Sequence, residues 1–184
     1  MKLFTYQSKE AYEKLQKEGE LKITSLLDCK TYMKHEPNDK FNINPFRFPY
    51  ALIRYLMKQN LKVQTEETVF PIWARKKWEK HERPNRKLNK LNKGMVLIYF
   101  EIPDDEVFLS DFDIYENILC GGLNFIYEDE EEREAAIKPS KTDEEIFEDC
   151  KKFFTPKILA KATSIQATFY KLRLDQVKKV KFVK

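Results

Sequence analysis

The densest group of chemically capable side chains lies between residues 101 and 113. It contains six carboxylates, which are Glu101, Asp104, Asp105, Glu106, Asp111 and Asp113. Carboxylate oxygens gathered at this density could bind a divalent cation. The same residues, however, follow a strand pattern and surround Pro103, where aspartates form turns and cap helices. We therefore assign most of them to turns and caps and expect no metal site.

The other residue types that catalyse reactions are sparse. The two histidines, His35 and His81, lie outside any H-x-x-x-H spacing, so a zinc hydrolase is not indicated. Only four glycines occur, and neither a dinucleotide-binding glycine motif nor a P-loop can be written. The three cysteines, Cys29, Cys120 and Cys150, are odd in number and widely spaced, which favours a reducing cytoplasm.

Aromatic and basic residues stand together near the middle of the chain. A basic segment, Arg75–Lys93, carries nine Lys or Arg against two Glu. At its start lie Arg75 and Trp78, and Trp73 immediately precedes it. Aromatic rings among cations can stack on bases while the cations bind phosphates, so this segment is a candidate nucleic-acid contact. An acidic block at 128–149, with eleven acids against three bases, offers the alternative that the charges compensate each other within the molecule.

The acidic block overlaps a predicted amphipathic helix over Thr142–Phe154. Ile146, Phe147, Cys150 and Phe154 fall on one side of this helix and predict a buried face. The acidic side of Asp143–Phe154 is a candidate contact for a basic protein partner.

Hydrophobic patterns predict the elements that must position these side chains. Leu3–Gln7 alternates as a strand, and Ser8 is a good N-cap for a helix that Gly19 ends. A second helix is predicted from about Pro49 to Asn60, because proline suits the first turn of a helix.

The centre of the chain predicts strands, a turn and a helix. Val69–Trp73 is apolar and extended, and Pro71 places this strand at a sheet edge or beside a bulge, since proline donates no ladder hydrogen bond. Val96–Ile102 and Val107–Leu109 are predicted as two short strands around a turn. Residues 111–120 should be helical.

The last third of the chain completes the expected fold. Ile165–Leu174 is predicted as a strand and Val177–Val183 as a short helix or strand. Strands scattered among helices favour one α+β domain over residues 1–184, with a mixed or antiparallel sheet flanked by short helices. No apolar run is long enough to cross a membrane, and the first residues do not resemble a signal peptide. We expect a soluble cytoplasmic protein without membrane contact.

Four blocks of the chain resemble a bacterial family catalogued as Domain of Unknown Function 3841. They are Phe4–Ser8, Phe70–Ala74, Phe100–Phe112 and Ser164–Phe169. The third block, F-E-I-P-D-D-E-V-F-L-S-D-F, is the most specific of them. The resemblance spans nearly the whole chain, implies a compact α+β domain and leaves the activity open.

The opening strand, the first helix and a late strand carrying a polar residue also resemble the frame of ADP-ribosyltransferases. In that fold, the first strand carries a His or Arg that binds NAD, and a later strand carries a catalytic Glu. The matching positions here are Thr5 or Gln7 on the first strand and Gln166 on the late strand. A neutral glutamine can hold a ribose hydroxyl, but it cannot stabilise a developing cation by charge. The chain would then bind a nucleotide without transfer, or use another acid such as Asp111.

This resemblance implies an NAD-binding, ADP-ribosyltransferase-like protein that modifies a nucleic acid or a protein. Gln166 and Asp111 are its candidate catalytic residues, and the candidate NAD-binding residues are Thr5, Gln7, Trp73 and Arg75. Trp73 would stack on nicotinamide or adenine, while Arg75 would bind the diphosphate. The alternatives are a non-catalytic nucleic-acid-binding module, through the basic segment and the C-terminal lysines, and a protein-interaction module, through the acidic helix.

Overall fold

The structure is a computed structural model, and it describes residues 1–24, 47–62, 69–137 and 141–184. His35 and Cys29 lie outside these ranges.

The described residues form eight strands and eight α-helices. The strands are β1 (Lys2–Gln7), β2 (Glu20–Leu21), β3 (Ile72–Lys77), β4 (Val96–Glu101), β5 (Phe108–Asp111), β6 (Ile165–Phe169), β7 (Leu172–Arg173) and β8 (Val177–Phe182). The helices are α1 (Lys9–Glu18), α2 (Arg47–Asn60), α3 (Arg86–Leu91), α4 (Phe112–Gly121), α5 (Leu123–Ile126), α6 (Glu130–Ile137), α7 (Asp143–Cys150) and α8 (Pro156–Leu159).

Six of the strands form one antiparallel sheet. Their order is β5-β6-β3-β1-β4-β8, while β2 and β7 form a separate antiparallel pair. This sheet and its flanking helices confirm the predicted α+β class. The strands predicted at the beginning of the chain and after Gly94 are also confirmed, as is the helix that follows Asp111. Val177–Val183, which was predicted as either a helix or a strand, contains the edge strand β8.

Three predicted placements are wrong in detail. Of the two alternatives for the strand at Pro71, the sheet edge is wrong, because β3 lies inside the sheet between β6 and β1. The alternative of a bulge agrees with the register shift in the β3–β6 pairing between Arg75 and Lys77. The predicted strand Ile165–Leu174 is divided into β6 and β7, which belong to different sheets. The predicted helix Thr142–Phe154 is shorter, since α7 ends at Cys150 and continues only as a 3-10 turn.

The two strands predicted around Pro103 are both present, yet they are not neighbours. A 3-10 turn at Asp104–Glu106 joins β4 to β5, and three strands (β1, β3 and β6) lie between them in the sheet. The connection therefore carries the chain from one side of the sheet to the other.

The first helix shows how local sequence sets its own ends. The Ser8 hydroxyl accepts a hydrogen bond from the Ala11 backbone N–H at 3.1 Å, which satisfies one of the free donors of the first turn. Gly19 ends the helix with φ of 76°, a left-handed conformation that costs glycine little. Both predicted caps are confirmed.

The two faces of the sheet carry different cores. One face packs against α1 and the β2–β7 pair through Leu3, Leu15, Ile98, Phe100, Phe169 and Leu172, all of which are buried. On the opposite face, helices α2, α4 and α7 form a second core with β5, built on residues such as Leu52, Met57, Ile118 and Phe147. Helix α3 contributes Leu88, which packs with Phe4 and Leu97 on β1 and β4.

Candidate functional site

A cavity of about 280 Å³ opens on this second face of the sheet, between α3 and the group formed by α2 and α4. Strands β1, β3 and β6 supply its floor through Phe4, Thr5, Trp73, Arg75 and Gln166. Helix α4 supplies one wall, and Asn92, just after α3, lies on the other side. The site therefore depends on the adjacency of three strands that are distant in sequence.

Four of the predicted NAD-site residues line this one cavity. They are Thr5, Trp73, Arg75 and Gln166. Two of them are directly paired across neighbouring strands, because Arg75 on β3 stands opposite Gln166 on β6. The predicted residues that remain, Gln7 and Asp111, lie outside the lining.

Arg75 is held by aromatic rings. Its guanidinium carbon lies 4.2 Å from the ring centroid of Trp78 and 4.2 Å from that of Phe112. These are close cation–π contacts, which favour the charged guanidinium where it is partly buried. Among the residues that the structure describes, none accepts a hydrogen bond from the buried Nη1 of Arg75. An unsatisfied buried donor of this kind is costly, and an anion in the cavity could satisfy it.

The electrostatics of the cavity centre on the same residue. Burial lowers the pKa of Arg75 to about 10, whereas the nearby Glu116 carboxylate acts to raise it. Within the described lining, Arg75 is the one cation and Glu116 the one carboxylate. The cavity thus contains one positive and one negative group among aromatic side chains.

Gln166 is already engaged through its amide nitrogen. Nε2 donates a hydrogen bond to the Ser110 hydroxyl at 2.9 Å, and both side chains are buried. This bond crosses from β6 to β5 and fixes the orientation of the amide. The side-chain oxygen of Gln166 can therefore accept a hydrogen bond from a ligand hydroxyl.

Thr5 and Gln7 form a short hydrogen-bonded chain beside the cavity. The Thr5 hydroxyl donates to the backbone carbonyl of Trp73 at 2.7 Å and accepts from Nε2 of Gln7 at 2.9 Å. Gln7 therefore contacts Thr5 from outside the lining. These bonds connect β1 to β3. Thr5 pairs with Ile98, which belongs to the core on the α1 side, so the Thr5 side chain lies on the sheet face opposite to Phe4 and Arg75. Thr5 and Gln7 therefore support the cavity floor from behind, and the predicted contact of their side chains with NAD inside this cavity is wrong.

Trp73 joins an aromatic group on the other side of the floor. Its Nε1 donates to the Tyr50 hydroxyl at 3.2 Å, and the Trp73 and Tyr115 ring centroids are 4.9 Å apart. Trp73 is half-buried, so part of its ring remains accessible. Together with Phe112, these rings give the cavity walls that suit a flat ring system.

Asp111 performs a structural role at a different place. Its carboxylate accepts hydrogen bonds from the backbone N–H groups of Asp113 and Ile114, at 2.9 and 3.2 Å, and so caps α4. It borders a separate cleft near Met1 and Phe154. The structure thus separates this candidate acid from the other five predicted residues.

The residues that α4 contributes to the cavity were not predicted from the sequence. Phe112, Tyr115, Glu116 and Leu119 all line the cavity. Their spacing of three, four and seven residues places them on one face of a helix, a signal that was present in the sequence. That signal does not by itself tell whether the face lies against the core or beside a cavity.

The acidic block and the basic segment differ in where their charges lie and what they contact. In the acidic helix α7, Asp149 accepts from Tyr127 and Lys141, and Glu148 is bonded by Lys151 and Tyr55, so two of its acids are compensated within the molecule. The predicted apolar side of α7 is buried. By contrast, the basic segment supplies Arg75 to the cavity and then forms α3 at its side.

Two further findings concern only the part of the chain that the structure describes. It contains no group of three or more His, Cys, Asp or Glu that could hold a metal ion. It also contains no helix with the length and apolar character needed to cross a membrane.

Neither the curated proteins nor the solved structures matched the chain. The model of a family described as a domain of unknown function (DUF3841) matches residues 2–178, which includes every strand except the last residues of β8. The protein therefore belongs to the DUF3841 family.

Proposed function

We propose that this protein binds NAD through the cavity between α3 and α4 and acts as an ADP-ribosyltransferase-like protein on a nucleic acid or a protein. The observation that carries the proposal is Arg75: a cavity residue whose buried Nη1 has no acceptor among the described residues. A phosphate oxygen is a strong acceptor for such a guanidinium.

The walls of the cavity fit the rest of a nucleotide. Trp73, Tyr115 and Phe112 offer rings against which adenine or nicotinamide can stack. Gln166 offers a carbonyl oxygen to a ribose hydroxyl. The cavity volume of about 280 Å³ is at the small end of ligand sites, so it suits one nucleotide half while the other half extends outside.

Transfer would require a group that takes a proton from the acceptor. When bound, NAD supplies a ribose carbon whose bond to nicotinamide breaks as a bond to the acceptor forms, and the electron pair leaves with nicotinamide. Gln166 has no charge and can only orient the ribose, whereas Glu116 lines the cavity and is exposed. Glu116 is thus the residue that could receive the acceptor's proton. Arg75 would hold the diphosphate during the same step.

Binding without transfer is the second candidate. It is favoured by one observation: no strand residue of the described cavity floor is a carboxylate. A non-catalytic module would show binding of NAD without release of nicotinamide, and this readout separates the two candidates.

The test is thermal unfolding of the full chain with increasing NAD up to millimolar concentration. A ligand that binds only the folded state raises the melting temperature with concentration. Gln166→Ala should reduce this shift, and Gln176→Ala is its matched control, because both glutamines are 5% exposed and Gln176 lies outside the cavity lining. Absence of a shift in the unsubstituted protein would overturn the proposal, as would equal shifts in both variants.

A further inference from the structure

The sheet face that carries the cavity continues beyond it toward the edge strand β8. Residues directly paired on neighbouring antiparallel strands share one face of the sheet. Arg75 pairs with Phe4, Phe4 with Tyr99, and Tyr99 with Lys179. The Lys181 ammonium nitrogen lies 6.0 Å from the Tyr99 ring centroid. A row of side chains thus leads from the Arg75 cavity to two lysines at the sheet edge.

Helix α3 lies on the same face, between the cavity and the edge strand. Leu88 packs with Phe4 and Leu97, and the Tyr6 hydroxyl donates to Oδ1 of Asn89 at 2.6 Å. The end of β8 is tied to the residues after α3, because the Gly94 backbone N–H donates to the carbonyl of residue 183 at 2.9 Å. The exposed side of α3 is therefore continuous with β8.

Five cations stand on this surface, and we call them the basic face. Arg86 and Lys90 belong to α3, Lys179 and Lys181 belong to β8, and the charge of Arg83 acts on Tyr99. All five side chains are exposed. None of the five forms an ion pair with a described residue. Their neighbours do, since Lys87 pairs with Glu79 at 3.6 Å and Lys2 with Glu101 at 3.7 Å. Unpaired like charges held together by a folded scaffold favour a polyanionic partner.

We propose that a single-stranded nucleic acid binds the basic face and presents one of its nucleotides at the Arg75 cavity. This inference rests on the proposed function, for which it names the acceptor class. Two half-buried rings lie beside cations along this surface, Tyr99 beside Lys181 and Trp78 beside Arg75 of the cavity. Such rings stack on bases while lysines and arginines hold the phosphates. An acidic peptide would use the charges but not these rings. A base inside a duplex could not reach the cavity without leaving its stack, which favours a single strand.

The experiment measures binding of the full chain to a labelled single-stranded oligothymidine and to an oligouridine of equal length, at several salt concentrations. Affinity should fall steeply with salt, because each neutralised phosphate releases counterions. The variant Lys179→Glu with Lys181→Glu should weaken binding at least tenfold and lower the log–log salt slope by roughly one to two. Lys157→Glu with Lys161→Glu is the matched control: it changes the net charge equally at exposed residues around α8, and binding should remain within about twofold.

Three results would overturn the inference. These are the absence of salt-dependent binding, equal weakening by the control pair, and competition by polyglutamate as effective as competition by unlabelled oligonucleotide. The last result would identify an acidic protein surface as the partner. The NAD-dependent thermal shift is measured on the same variants. A further result is an NAD-dependent shift in the parent and in Lys179→Glu with Lys181→Glu while the parent binds no oligonucleotide. In that case the proposed nucleic-acid surface is wrong and the proposed NAD site is retained.

Discussion

Arg75 on β3 and Gln166 on β6 are directly paired across the sheet, and both line the same cavity. The two side chains differ in how much of their hydrogen-bonding capacity is used. Gln166 donates its amide to Ser110, whereas Nη1 of Arg75 has no acceptor among the described residues. Since a buried donor without a partner is costly, the pair combines a fixed acceptor with a donor that a ligand can satisfy.

Removal of the Arg75 charge should abolish most of the NAD-dependent stabilisation. In Arg75→Met, a charged hydrogen bond worth about 1.5–3 kcal/mol is lost, which weakens binding roughly 10- to 100-fold. Isothermal titration and the thermal shift both measure this change. Lys76→Met is the control, because it removes a neighbouring charge outside the cavity lining. An unchanged affinity in Arg75→Met would show that the guanidinium does not contact the ligand.

The planar shape of Arg75 should matter as much as its charge. Arg75→Lys keeps a cation, but an ammonium cannot pack as a flat group against the rings of Trp78 and Phe112 or bind an anion in a bidentate manner. We expect Arg75→Lys to bind NAD about as weakly as Arg75→Met. Affinity restored to the parent level would mean that charge alone suffices.

The two candidate acids should respond differently to neutralisation. If the protein transfers ADP-ribose, Glu116→Gln should keep NAD binding and slow nicotinamide release by about 10²- to 10⁴-fold. Asp111→Asn should leave that rate near the parent value, because Asp111 caps α4 and lies outside the cavity lining. Chromatographic measurement of nicotinamide distinguishes the two. The opposite ranking would assign the reaction to Asp111.

The capping role of Asp111 has its own stability signature. Asp111→Ala removes the acceptor for the Asp113 and Ile114 N–H groups and should lower the free energy of unfolding by about 1 kcal/mol. Asparagine caps nearly as well as aspartate, so Asp111→Asn should lose much less. Urea denaturation measures both. Equal losses in the two variants would indicate that the carboxylate charge, rather than the cap, stabilises α4.

Much of the local structure could be predicted because its causes are local. Ser8 and Gly19 cap a helix through residues only three or four positions away, and Asp111 caps α4 through residues two and three positions away. The sheet order is a different matter. That β4 and β5 are separated by three strands depends on contacts between distant segments, which no pattern within 95–113 encodes.

The candidate site shows the same division. The resemblance to ADP-ribosyltransferases pointed to Thr5 or Gln7 and to Gln166. Thr5 and Gln166 both border one cavity, but the Thr5 side chain lies on the opposite face of the sheet. Glu116 was not predicted because a helical pattern shows which residues share one face of the helix. It does not show whether that face packs against the core or lines a cavity. Gln7 and Asp111 have side chains engaged in hydrogen bonds with neighbouring residues, which polar residue type alone could not reveal.

The cysteines offer a test of the core that is independent of any ligand. Cys150 is buried against α2 and Phe147, whereas Cys120 is exposed. In a Cys29→Ser background, a thiol reagent should modify one cysteine per chain in the folded protein and two after denaturation. Modification of Cys150 at the rate of Cys120 would contradict the packing of α7.

The same burial predicts a specific dependence of stability on pH. Burial raises the pKa of Cys150 from 9.0 to about 12, and the Asp149 carboxylate acts in the same direction. Well below pH 9 the thiol is protonated in both the folded and the unfolded chain and adds no pH dependence. Between these two values the unfolded chain has lost a proton that the folded chain retains, so the free energy of unfolding falls as pH rises. Cys150→Ala should show a shallower fall across this window than Cys120→Ala, as measured by urea denaturation. Equal slopes in the two variants would mean that the Cys150 thiol ionises as readily in the folded protein as in the unfolded chain.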